Sequence, residues 1–231
     1  MSDSAEFDRF ADNYDECLND ALAASGETKE FFAQARVEWL ARCLKQYGHA
    51  ARHALDYGCG TGDTTQLLRE LLGSESVLGL DVSTLSLERA RARHGGHARF
   101  QTFAEYSPDG SVDVAYCNGV FHHIPVAERT DAIRYISRCL RPGGLFGLWE
   151  NNPWNPGTQY VMHKCEFDRD AVKLTPPEAA GLLRQEAFEI LRTDFRFFFP
   201  RALKMMRPAE WWLTKFPLGG QYQVLARKPI R

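Results

Sequence analysis

Along the chain, apolar positions fall alternately into helical stripes and short continuous runs. Phe31, Phe32, Ala35, Val37, Trp39, Leu40 and Leu44 recur at helical spacing, which predicts a helix over Glu30–Gln46. His53–Tyr57 is a short apolar run leading into glycines, the pattern of a buried strand. Leu67, Leu68, Leu71 and Leu72 make Thr64–Leu72 a helix, and Ser76–Val82 reads as the second strand. Ser83 is placed to cap a helix over Thr84–Arg93. Ala98–Phe103 and Val112–Asn118 read as two more strands. An amphipathic helix follows over Val126–Leu140, stopped by Pro142-Gly143-Gly144, with a fifth strand at Leu145–Trp149.

Strand–helix–strand alternation at this spacing predicts an α/β fold whose strands pair in parallel through right-handed crossovers. Ligands in such sheets bind beyond the carboxyl ends of the strands, so the residues to inspect are those just after each strand. Past residue 150 the pattern loosens. Asn151–Gly157 reads as a loop from its Asn, Pro and Gly content. Thr175–Phe188 is a helix with Thr175 as cap and prolines in its first turn. Glu189–Phe199 and Gln221–Ala226 read as two late strands, with a helical, aromatic Ala202–Phe216 between them. Nothing marks a second full domain.

Composition narrows the class. The chain has 231 residues, 44% of them hydrophobic, enough for one domain with a sizeable core and too apolar for disorder. No run approaches the ~18 apolar residues of a membrane helix. The polar, acidic start MSDSAEFDRF predicts no secretory signal, and the six cysteines show no zinc spacing or CxxC pair. A cytoplasmic protein with reduced thiols and no bound metal is the expectation. The formal net charge of −2 gives no global bias toward nucleic acid. That total hides a gradient. Residues 1–30 carry nine acidic and two basic side chains, whereas residues 191–231 carry nine basic and two acidic.

The most specific signal is Leu55-Asp56-Tyr57-Gly58-Cys59-Gly60-Thr61-Gly62, a strand running into closely spaced glycines and then a helix. The next strand ends in Leu80-Asp81, and an acid there can accept both ribose hydroxyl hydrogen bonds. The dinucleotide fingerprint would need glycine at position 63, which is Asp63. Asp56 before the loop repels a pyrophosphate but tolerates an ammonium or sulfonium, which favours a cationic nucleoside without phosphates.

LDYGCGTG, GLDVS and LRPGGLF resemble the landmarks of class I S-adenosylmethionine-dependent methyltransferases, and the resemblance covers about residues 50–150. It implies a Rossmann-like, mostly parallel seven-stranded sheet with helices on both faces and one strand inserted antiparallel. It also implies S-adenosylmethionine as cofactor. Gly58, Cys59 and Gly60 are then expected under the cofactor, with Asp56 near its amino acid part. Asp81 holds the ribose, Val82 packs on adenine, Phe103 and Ala104 flank the ring, and Asn118 lies near the methionyl group. Where many relatives carry an Asp that bonds the adenine amine, this chain has Phe103, so backbone, Glu105 or packing alone must take that part. Residues 1–48 are expected as an N-terminal helical lid that closes Tyr14 over the methionyl end, and 49–231 as the methyltransferase domain, with 151–231 supplying the acceptor side.

Candidates for the acceptor side follow the fourth and fifth strands. His122 and His123 are candidate general bases, since an imidazole titrates near ~6.5; one ring can equally pack or orient the loop. Glu150, Asn151 and Trp154 are expected to line the acceptor pocket, with loop formation as the alternative for the Asn-Pro stretch. Residues 195–216 interleave cations with Phe, Trp and Met. They admit two readings, core packing or an apolar, basic rim for an acidic or lipid-linked acceptor or a membrane surface. The expected function is methyl transfer to a small-molecule or lipid-like acceptor. A nicotinamide-dependent oxidoreductase and a non-catalytic nucleoside-binding scaffold are the alternatives. Nucleic acid is disfavoured: no basic recognition module is appended, and Asn118-Gly119-Val120-Phe121 replaces the Asn/Asp-Pro-Pro-aromatic tetrapeptide of DNA amino-methylation.

Overall fold

A computed structural model describes residues 22–165 and 171–230. Its strands are β1 (His53–Tyr57), β2 (Ser76–Asp81), β3 (Arg99–Thr102), β4 (Val112–Asn118), β5 (Leu140–Asn151), β6 (Glu189–Arg196) and β7 (Gln221–Arg227). They form one sheet in the order β3-β2-β1-β4-β5-β7-β6. All neighbours are parallel except β7, which runs antiparallel to both β5 and β6. The chain leaves β1 toward β2 and β3 on one side and returns to place β4 on the other. The loops after β1 and β4 therefore part, and a crevice opens at that edge.

The helices are α1 (Lys29–Gln46), α2 (Asp63–Leu72), α3 (Thr84–His94), α4 (Arg129–Cys139), α5 (Pro156–Lys164), α6 (Pro176–Gln185) and α7 (Glu210–Leu213). Strand side chains alternate between two apolar layers. Ala54, Val114, Tyr116, Leu145 and Trp149 pack with Val37, Leu40 and Leu44 of α1. Leu55, Ala115, Cys117, Phe146 and Leu148 pack with Ile133 and Ile136 of α4 and Leu183 of α6. Ser83 caps α3 by accepting from the Ser86 N–H, and Thr175 and Glu178 close a reciprocal capping box on α6.

Several elements differ from the sequence reading. Pro142-Gly143-Gly144 does not separate helix from strand. β5 begins at Leu140, pairs there with Val112, and passes the glycines as an irregularity in register. The expected helix over 126–140 begins as a 3-10 turn, Val126–Glu128, before α4 proper. α5 lies within what read as loop and onward, with Asn155 accepting from Thr158 N–H as its cap and Pro156 at its first position. β6 stops at Arg196 because Phe197 takes a left-handed φ of 66°. The stretch after it is helical as expected, a 3-10 helix over Arg201–Ala209 that leads into α7. The core-packing reading of 195–216 holds for its start, where Phe195 is buried and Phe197 and Phe198 pack against the core, and fails beyond it, where Met205 is 87% and Trp212 82% exposed. Cys43, Cys59, Cys117 and Cys139 are buried free thiols, and Cys165 is also buried.

Candidate functional site

The β1–α2 turn is shaped by glycines that no other residue replaces cheaply. Gly58 has φ +75°, and a Cβ there would lie 2.4 Å from Val120 Cγ2. Gly60 has φ +51°, but its missing Cβ would meet nothing within 4 Å, because it faces open cavity. The turn is bonded to the end of β2. Gly58 and Cys59 N–H both donate to Leu80 carbonyl, at 2.8 and 3.0 Å. Gly60 N–H donates to Asp81 Oδ2 at 2.8 Å, while Ser83 N–H donates to Asp81 Oδ1 at 2.9 Å. Each carboxylate oxygen has a second acceptor position, so Asp81 can hold the loop and still receive hydroxyls from a ligand.

A cavity of about 1010 Å³ opens over this turn. Asp56, Gly58, Cys59, Gly60, Asp81, Val82, Phe103, Asn118 and His123 all line it. Asp56 is buried and accepts from the Thr65 hydroxyl at 2.7 Å. Burial pushes its carboxyl from an ordinary 3.8 up to about 7; the Thr65 bond and Arg36 oppose this, and Asp81 adds to it. Burial likewise drives the Cys59 thiol well above its usual range, and its sulfur packs with Leu87, Ala90 and Phe100. Phe103 sits in an aromatic group, 4.7 Å from Tyr57 and 5.6 Å from Tyr135 between centroids. Ala104 is exposed and outside the lining, and Glu105 is engaged with Thr102 N–H at 2.7 Å. Tyr14 lies outside the described residues.

The two histidines part company. His123 lines the cavity, whereas His122 is 4% exposed, lies outside the lining, and has Nδ1 2.6 Å from Glu150 Oε2. Glu150 Oε1 accepts from Phe121 N–H at 2.8 Å. Strand parity explains this: Glu150 shares the face of Phe146 and Leu148, turned away from α1, so it ties down the 119–123 loop from below. Asn151 and Trp154 are also absent from the lining. Asn151 Oδ1 accepts from Gln221 Nε2, and Trp154 stacks on Phe195. The expectation that these three line the acceptor pocket is therefore corrected. Asn152 is fully buried and donates to the Pro217 and Gly219 carbonyls, anchoring the entry to β7.

Sequence reasoning missed Arg36. It falls in the buried stripe of α1, with Ala33, Val37, Leu40 and Leu44, and a charge on an apolar stripe was the available signal. Its Nε donates to Tyr116 hydroxyl at 3.1 Å and its Nη1 to Gln221 Oε1 at 3.0 Å, while the residue lines the cavity. At the rim, Lys29 Nζ lies 2.9 Å from Asp63 Oδ2. Burial works to raise the Asp63 carboxyl, but Lys29, with His94 and Arg93 behind it, holds it below its ordinary value.

The residues fit the cationic nucleoside implied by the sequence. Asn118 Oδ1 is buried with no hydrogen-bond partner, an orphan acceptor on the cavity wall. Asp56 is a buried carboxyl beside the glycine turn, and the open space at Gly60 lets a ligand lie against backbone. Among the described residues, no group of three or more His, Cys, Asp or Glu gathers to hold a metal ion, and no helix is long and apolar enough to cross a membrane.

Comparison with known proteins agrees in kind. A methyltransferase-domain family matches residues 54–144. Trans-aconitate 2-methyltransferase of Acidovorax ebreus (strain TPSY) is 29% identical over 162 residues, which is 68% of this chain and 62% of that one. The enzyme of the same name from Acidovorax sp. (strain JS42) is 31% identical over 156 residues, 66% and 58% of the two chains. The chain thus spans about three fifths of the length of these relatives. Among solved structures, a possible histamine N-methyltransferase from Thermotoga maritima superposes with TM-score 0.65 at 20% identity, covering 96% of this chain and 98% of the other. An S-adenosylmethionine-dependent methyltransferase from Mesorhizobium loti does so with TM-score 0.60 at 22% identity, covering 83% and 98%. At these identities the structures bear on fold alone.

Proposed function

We propose that the chain, whose residues 54–144 match a methyltransferase-domain family, is a class I S-adenosylmethionine-dependent methyltransferase that transfers a methyl group to a small-molecule acceptor bearing carboxylates. The observation that carries the cofactor half is the Asp81 clamp, whose two oxygens fix the glycine turn and β2 together at the cavity wall. Asp81 would hold the ribose hydroxyls, Val82 and Phe103 the adenine faces, and Asp56 with Asn118 Oδ1 the ammonium. When bound, the cofactor supplies a methyl group already activated on a sulfonium. The chain's task is then alignment of a nucleophile and exclusion of water.

The acceptor half rests on Arg36 and on the relatives named for trans-aconitate. Tyr116 and Gln221 take two of the guanidinium's five N–H groups and fix its plane, leaving others for a carboxylate in the cavity. A carboxylate oxygen is already deprotonated at neutral pH, so its methylation needs no base. His123 then orients the acceptor, whereas a phenol or amine would require it as general base. His122 acts through Glu150 by holding the loop. The test is calorimetry with S-adenosylmethionine and NAD, followed by methyl release over a panel of di- and tricarboxylic acids, phenols, amines and lipids. Binding of NAD in preference, or turnover confined to amines, would overturn this reading. Cofactor binding without turnover would favour a scaffold.

The exposed apolar side chains Leu203, Met205, Met206, Trp212, Phe216 and Leu218, set among Arg201, Lys204 and Lys215, support peripheral contact with an anionic lipid surface. Sedimentation with phosphatidylserine vesicles at low salt should carry the protein down, and Trp212→Ala should weaken this. No binding to such vesicles would remove both the lipid surface and a lipid-linked acceptor from consideration.

A further inference from the structure

α1 has two working faces. Ala33 and Arg36 border the large cavity, while Ala35, Glu38, Trp39 and Arg42 border a second one of about 370 Å³ behind the helix. Its other walls are Arg196 at the end of β6, Arg207 and Pro208 of the 3-10 segment, and Trp211 of α7. Three arginines thus converge where one acid, Glu38, shares the lining, and Glu38 is already bonded to Gln34 at 2.8 Å.

We propose that this second cavity binds a small oxyanion carrying two or more charges, a phosphate or a polycarboxylate. Two of the three arginines, Arg42 and Arg196, lack a close carboxylate partner. Arg196 Nε is buried without a hydrogen bond, and its Nη2 comes only within 4.0 Å of Glu210 Oε2. Glu210 is meanwhile spent on the Phe198 and Phe199 N–H groups, at 3.0 Å each. The Arg42 guanidinium lies over the face of Trp211, 5.0 Å from its centroid. Arg207 is the anchored member, bonded to Phe199 carbonyl and Glu27.

The indoles keep the cluster in place. Trp39 Nε1 donates to buried Asp194 at 3.3 Å, Arg196 lies 4.5 Å over the Trp39 ring, and Trp39 meets Trp211 edge-on at 5.5 Å. Burial pulls Arg196 below the usual guanidinium range; Glu210 opposes this and Arg42 adds to it. An oxyanion bridging Arg42 and Arg196 would give both guanidinium groups a shared counter-charge and relieve their repulsion, because guanidinium forks match phosphate and carboxylate oxygens. The volume suits a compact ligand.

The test follows the indole N–H resonances of the 231-residue chain by ¹H–¹⁵N NMR, assigned by Trp→Phe variants. Inorganic phosphate and, separately, citrate are titrated at constant ionic strength set with chloride. The Trp39 and Trp211 signals should shift saturably while Trp149 stays put. In Arg42→Gln, an exposed position that leaves the fold intact, the midpoint should rise roughly tenfold or more, the weight of one charged hydrogen bond. Arg36→Gln, at a residue that borders the large cavity and not this one, should leave the midpoint unchanged. A lower midpoint for phosphate marks a phosphate ester as the ligand, and a lower one for citrate marks a polycarboxylate. Linear drift of all indole signals, or an unchanged midpoint in Arg42→Gln, overturns the proposal.

Discussion

Asp56→Asn is the most informative single substitution, because the same carboxyl that is proposed to bind the cofactor weighs against the empty fold. Burial raises Asp56 from 3.8 to about 7, so the folded chain holds this proton more tightly than the unfolded chain does. Its contribution to stability is therefore greatest below about pH 4, is lost as pH rises, and is gone above about pH 7. Three pH units at about 1.4 kcal/mol each give roughly 4 kcal/mol as an upper bound. Between pH 5 and pH 8 the loss is about 3 kcal/mol. Asparagine keeps the shape and can still accept from Thr65 through its amide oxygen, but it carries no charge to desolvate. Urea denaturation of both proteins at pH 5, 6, 7 and 8 should give curves that diverge with pH, with Asp56→Asn the more stable by a few kcal/mol at pH 8. The difference between the curves is the quantity to read. Burial lowers His49, whose contribution runs oppositely and rises with pH in both proteins. Parallel curves would refute the reasoning. The same variant should bind S-adenosylmethionine more weakly, and the proton that the wild type releases on binding near pH 6 should vanish.

Asp81→Ala should weaken S-adenosylmethionine by roughly 1.5–3 kcal/mol per lost charged bond, read by calorimetry; unchanged affinity would mean that another group holds the ribose. Gly60→Ala should fold at a cost of roughly 1–2 kcal/mol for its left-handed backbone, since its Cβ meets no protein atom, yet lose cofactor binding because that Cβ enters the cavity. His122→Ala should lower stability by about 3–5 kcal/mol by leaving Glu150 Oε2 buried without its imidazole partner, as thermal or urea unfolding would show. His123→Ala should leave stability intact, and with a carboxylate acceptor it should raise KM without bringing a new pH dependence into kcat.

The sequence determined the local features of this protein: the order of strands and helices through residue 118, the glycine turn, the acid closing β2 and the caps at Ser83 and Thr175. Each depends on a repeat of 2 or 3.6 residues or on the backbone freedom of a single residue type, so a short window contains the information. Tertiary structure decided everything that depends on register or on distant partners. Parity along β5 turned Glu150 away from the cavity and gave it to His122. A bulge carried strand pairing through Pro142-Gly143-Gly144, where local propensity predicted a break. Arg36 went unread in the sequence, and only the packing of β4 and β7 brings Tyr116 and Gln221 to its guanidinium. The arginines at 42, 196 and 207 are far apart in the chain, and only the folding of β6 and the 3-10 segment against α1 gathers them around one cavity. The basic charge was legible from composition, but its concentration at a single point was not, because charge is counted along the chain and acts through space.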